Sequence, residues 1–202
     1  MNLKYIISFV VSLILTLTNS LSSEMVTEIH RINQDQITVP DGLKSGIVLS
    51  TPIDSQIDKI GNVTVKFKIT GDDFASNGDY YAAIYLGQTG VPLINHVGKR
   101  KTELLGYPDN GFDVTFDDTA TGKDIHNYRL VLNGNQTTPI DPEYTTPLTG
   151  TWQPDGRWKS FDSDPIQSQL SDFKGLDPSG VWSLIISDSD AGGVGKLILC
   201  EV

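Results

Sequence analysis

Residues 62–70 read Asn62-Val63-Thr64-Val65-Lys66-Phe67-Lys68-Ile69-Thr70. Val63, Val65, Phe67 and Ile69 alternate without a break with Thr64, Lys66, Lys68 and Thr70. A period of two sends alternate side chains to opposite faces of an extended strand, so one face is apolar and the other wet. Slipping the pairing by one residue would bury two lysines, which fixes the register. A half-buried antiparallel strand of this kind needs a second layer over its apolar face.

The flanking sequence supplies more strands. Tyr80–Leu86 is aromatic and apolar, with a turn at 87–90 and a partner at 91–97. Phe112–Phe116, 128–132, 181–187 and 196–200 complete the candidates. Turn chemistry separates them: Asn77-Gly78, Asp109-Asn110-Gly111, Asn133-Gly134, Asp155-Gly156 and Gly192-Gly193. One helix of two turns is expected, with Asp164 as N-cap, Pro165 at the first helical position, Ile166, Leu170 and Phe173 at helical spacing, and Gly175 at its end. Short strands joined by turns predict an all-β fold of about eight to nine strands, a β-sandwich or jelly roll.

Composition agrees. The 202 residues carry 25 Asp+Glu against 15 Lys+Arg, a formal charge of −10, and 20 of the acids are Asp. Asp favours caps and turns over helix interiors. The acidic balance argues against nucleic-acid binding, which needs a basic patch. Lys99-Arg100-Lys101 is the sole basic cluster and reads as a solvated hairpin tip.

Residues 1–22 read as a secretory signal peptide: Lys4, an apolar run over 6–17, then Ser20 and Ser22 at −3 and −1 of a cleavage site. The alternative is an uncleaved anchor, but the run is short of the ~20 residues that span a bilayer, and no later stretch is apolar enough to do so. The expected location is secreted, cell-surface or periplasmic. Residues 23–36 read as a linker, and 37–202 as one domain. The lone Cys200 ends the apolar run Leu197-Ile198-Leu199-Cys200 and is expected to be a buried hydrophobe.

The sequence has no G-x-S-x-G and no H-E-x-x-H. His30, His96 and His126 stand apart, and structural hydrogen bonds are the expected role of the last two. Asp72-Asp73 and Asp117-Asp118 are adjacent carboxylates, weak signals for glycoside chemistry in so Asp-rich a chain. Asn62-Val63-Thr64 and Asn135-Gln136-Thr137 match the glycosylation sequon.

Several segments together resemble the P domain (P/Homo B) that follows the catalytic domain in subtilisin-like proprotein convertases such as kexin and furin. They are Ile37-Thr38-Val39-Pro40-Asp41-Gly42, the strand at 63–70, Gly78-Asp79-Tyr80, Val114-Thr115-Phe116-Asp117-Asp118-Thr119-Ala120, residues 147–154, residues 177–188 around Trp182, and residues 193–199. Their order is kept. Gly71 and Tyr80 depart from the family's His and Leu, the family's final Trp is missing, and 121–145 looks like an insertion. The resemblance implies a jelly-roll β-sandwich, similar to galactose-binding-like folds, without the family's serine protease domain. It also implies a protein partner, since the convertase P domain packs on and supports its protease. A carbohydrate-binding or surface-adhesion module is the alternative, with Trp152 and Trp158 as the ligand-binding aromatics and Tyr80 and Tyr81 beside them. Trp182 alternates with Leu184 and Ile186 and is expected in the core. Asp79, Asp117, Asp118 and Asp188 fall at strand ends, where they are candidate ligands for one structural Ca²⁺ or, alternatively, caps of their own turns. Residues 188–193 begin like an EF-hand loop, but Leu199 stands at the twelfth place, so that reading fails.

Overall fold

A computed structural model describes residues 25–71 and 75–202. The signal peptide lies outside the described residues, as does Asp72-Asp73. The fold is an all-β sandwich of nine strands among the described residues. They are β1 (Ile37–Val39), β2 (Ile47–Ile53), β3 (Val65–Gly71), β4 (Tyr80–Leu86), β5 (Thr89–Asn95), β6 (Phe112–Phe116), β7 (Leu148–Trp152), β8 (Gly180–Asp188) and β9 (Gly195–Glu201). One sheet runs β1-β9-β3-β6-β7 and the other β2-β8-β4-β5. All neighbours are antiparallel except β6 and β7.

The alternation of β3 decides how the first sheet faces. Val65, Phe67 and Ile69 are buried, while Lys66 and Lys68 lie on the outer face. Lys68 meets Asp113 there at 2.7 Å. An exposed pair of this kind adds little stability. β8 does the same for the second sheet: Trp182, Leu184 and Ile186 are buried, and Val181 is exposed. Trp182 packs on Phe173, ring centroids 5.1 Å apart, and its indole N–H donates to the Pro178 carbonyl at 2.9 Å. The buried aromatic therefore leaves no polar atom unpaired. Cys200 is fully buried, as its apolar run predicts.

Two elements differ from the sequence expectation. Residues 128–132 are not a strand but lie within the short helix α1 (Tyr128–Asn133). The Asp124 carboxylate accepts the His126 N–H at 3.0 Å and starts a 3-10 turn over Ile125–Asn127 that leads into it. Gly134, at φ 69°, closes it by donating to the Leu130 carbonyl. Residues 128–132, apolar but for Arg129, are too short a run to carry a period that separates helix from strand. The helix expected at 164–175 shrinks to one 3-10 turn, Leu170–Phe173. Asp164 instead caps backwards, accepting the Phe161 N–H at 3.0 Å, and Gln167 and Ser168 both donate to the Gly156 carbonyl.

The described part of the span 23–36, read as a linker, contributes to the fold. His30 and Val202 exchange both backbone hydrogen bonds at 2.8 and 2.9 Å, and Ile32 donates to Cys200. Ile32 and Asn33 are buried as a result.

Trp182→Ala is expected to cost about 3–5 kcal/mol in denaturant unfolding, and Val181→Ala, one residue away on the outer face, no more than about 0.5 kcal/mol. Equal costs would contradict the assigned facing of β8.

Candidate functional site

Asp79 enters β4 and Asp188 ends β8, where Tyr80 and Asp188 are cross-strand partners. Ser189 N–H donates to the Asp79 carbonyl at 2.9 Å. Asp188 belongs to the inward set of β8 with Trp182, Leu184 and Ile186, is 2% exposed, and its Oδ1 has no hydrogen-bond partner. Two further acids complete this end. Asp41, in the turn after β1, accepts the Gly192 N–H at 3.0 Å, which ties that turn to the β8–β9 loop carrying Asp190. Asp79 and Asp190 line a hollow of about 470 Å³ with Glu103, Leu105 and Pro108. Burial, then the charges of Asp79 and Asp41, push the Asp188 carboxyl up to about 7. Burial, then Asp190 and Asp41, push Asp79 up to about 6. Gly78 holds the turn close: a Cβ there would sit 2.2 Å from the Leu105 carbonyl oxygen.

Asp117 and Asp118 do not join them. Asp117 caps its own turn by accepting the Thr119 N–H at 2.8 Å. Asp118 accepts the Leu170 and Ser171 N–H groups at 3.0 and 2.7 Å, so both its oxygens cap the 3-10 turn. Asn77 bonds Gly111 just before β6, whereas Asp117 follows β6. The two pairs of acids are thus separated by a five-residue strand, about 16 Å at ~3.3 Å per residue. The four carboxylates split two and two because each pair answers to a different sheet end. Among the described residues no three His, Cys, Asp or Glu side chains are grouped closely enough to hold a metal ion.

The aromatic candidates also divide. Trp152 ends β7 on the inward face, is 2% exposed, and its indole donates to Thr149 O at 2.9 Å. It is a core residue packed against Tyr128, not a surface platform. Tyr80 is fully buried. Trp158 is 42% exposed and lies 6.2 Å from the Tyr85 ring. With Tyr81, Asn95, His96, Lys159 and Phe161 it lines an open cleft of about 630 Å³.

Below this cleft is a buried ionic cluster that turn chemistry alone does not anticipate. Asp155 is fully buried and accepts from His126 Nδ1 at 2.7 Å, Arg157 at 3.1 Å and the Asn95 N–H at 3.2 Å. Arg157 also reaches Asp124 at 2.8 and 3.1 Å. Asn95 Nδ2 returns to the Arg157 carbonyl at 2.8 Å. His126 Nε2 faces the Lys99 carbonyl at 3.1 Å. Both ring nitrogens face acceptors, so the doubly protonated imidazolium satisfies the site best. Burial pulls its pKa down, but the hydrogen bond and charge of Asp155 outweigh this and leave it raised. No ring nitrogen remains for a substrate. A second cluster holds Asp109: Arg129 contacts it bidentately at 2.6 and 2.8 Å, and Tyr128 Oη donates at 2.6 Å. The signal for both clusters lay in the cations. The chain has four Arg against eleven Lys, and Arg is the residue suited to buried bidentate pairs.

No protein-family model matches the chain, and no curated protein matches it.

The raised His126 pKa has a consequence for stability. Its contribution is complete below about 6.5, the ordinary imidazole value, and is lost as pH rises through the higher folded value. Denaturant unfolding from pH 7 to 9 is expected to show falling stability in the wild type and a flatter profile in His126→Asn, whose amide can still donate to Asp155. Superimposable profiles would contradict the imidazolium assignment.

Proposed function

We propose that the chain is an exported, non-catalytic module of the P-domain type, a jelly roll that binds or stabilises a protein partner outside the cytoplasm. The observation that carries the reading is where the matched segments fall. They fall on β1, β3, the start of β4, β6, β7, β8 and β9, so that each matched segment coincides with a strand or strand end of the sandwich, which supports the reading. The signal-like residues 1–22 support export, and the absence of nucleophile and zinc motifs from the sequence supports a binding role. The binding face is the Trp158 cleft, the place where an exposed aromatic meets polar groups over a rigid, charge-paired floor.

A second reading follows from the same residue. A half-exposed indole beside Asn95, His96 and Lys159 is also a stacking surface with hydrogen-bonding groups at its rim, as a sugar ring requires.

The two readings part experimentally. The purified chain is expected to hydrolyse no peptide substrate and to raise the melting temperature of a separately encoded subtilisin-like protease from the same source. Turnover inhibited by serine reagents, or no effect on the protease, would contradict the first reading. On a glycan array, specific binding that falls at least tenfold in Trp158→Ala while the variant stays folded would establish the second.

A further inference from the structure

We propose that Asp188 and Asp79 form a divalent-cation site, taking Ca²⁺, at the end of the sandwich where β4 begins and β8 stops. The site does not depend on the P-domain reading. Asp188 is buried on the inward face of β8, and its Oδ1 lacks any hydrogen-bond donor. The Asp188 carboxylate accepts the Asp190 backbone N–H, so one buried oxygen is left unsatisfied, and that is costly unless a proton or a cation reaches it. Among the described residues none of Asp41, Asp79, Asp188 and Asp190 has an ion pair. Three other carboxylates act on Asp188: Asp79 and Asp41 most strongly, then Asp190. The nearest basic influence is Lys99, which acts on Asp79 and is outweighed there.

The donor chemistry selects the ion. The end carries the carboxylates of Asp41, Asp79, Asp188 and Asp190. These hard oxygens suit Ca²⁺, which accepts six to eight of them and takes carbonyls and water readily. No three carboxylates converge as they stand, so the ion has two direct carboxylate ligands, Asp188 and Asp79. Asp41 and Asp190 add field from outside. A site of so few charges belongs with the weak calcium sites of extracellular modules, at about 0.1–1 mM. Bound there, the ion joins four pieces of chain: the entry to β4, the end of β8, the β8–β9 loop and the turn after β1. The last two are already tied by the Gly192–Asp41 bond at 3.0 Å.

The test uses the full chain, stripped with chelator at pH 7.5. Adding 10 mM CaCl₂ (about ten times the weaker limit) is expected to raise Tm by about 3–6 °C. Tb³⁺ is expected to luminesce on excitation of tyrosine, since Tyr80 is the cross-strand partner of Asp188. Asp188→Asn and Asp79→Asn should each abolish both responses. In chelator Asp188→Asn should melt no lower than the wild type, because it removes an uncompensated charge and keeps the shape. Asp117→Asn should keep the calcium response. The proposal is overturned by a wild type indifferent to both metals. It is equally overturned by a response that survives in Asp188→Asn and Asp79→Asn, or by stabilisation from butylguanidinium but not from Ca²⁺.

Discussion

An ionised carboxylate cannot remain inside a protein without a partner, and among the described residues three are buried: Asp109, Asp155 and Asp188. Much of the molecule is organised around that constraint. Asp109 is closed off by Arg129 and Tyr128, Asp155 by His126 and Arg157. Each cluster draws distant pieces of chain onto the sandwich. Arg129 brings α1 against the 109 turn. Arg157 brings the segment after β7 over β5, where Asp155 and Gly156 donate to Leu93 and Pro92 and cover part of that edge. Covering a strand edge also removes a template for aggregation. Removing one member of such a cluster costs far more than the pair contributes over an apolar replacement, because it strands the remaining charge.

The Trp158 cleft inherits its rigidity from the Asp155 cluster. Asn95 and Trp158 flank the residues that close it, and Asn95 is held from both sides, by Asp155 at its N–H and by the Arg157 carbonyl at its amide. A binding surface is more selective when its groups are fixed by packing and hydrogen bonds beneath them. Among the described residues Asp188 has the Asp190 backbone N–H but no cationic partner, and it lies at a different place from the cleft. The molecule thus has one polar floor that is complete and one that is not.

The legible parts of the fold were those whose signal is local. Val65, Phe67 and Ile69 set β3 by alternation alone, and Trp182 with Leu184 set β8. β2 escaped because it is an edge strand with Pro52 in it, and its sequence places Val48 on the outer face and Thr51 on the inner one, so its polarity does not alternate although its burial does. The helix at Tyr128–Asn133 escaped because what buries Arg129 is Asp109, twenty positions away. Trp152 and Trp158 illustrate the same limit. They flank one turn and look alike in sequence, yet Trp152 takes the inward register of β7 and Trp158 lies beyond the strand. For the acids, a strand-end position marked all four candidates. Only the pairing of β4 with β8 separates Asp79 and Asp188, which share one sheet end, from Asp117 and Asp118, which cap turns.

The central claim is that Asp188 is a buried charge completed from outside the chain. The most direct measurement is anomalous diffraction from a crystal soaked in a lanthanide chloride. The account predicts a peak at Asp188 Oδ1, shared with the Asp79 carboxylate. A map with no peak there, or with the ion on Asp117 and Asp118 instead, would contradict it.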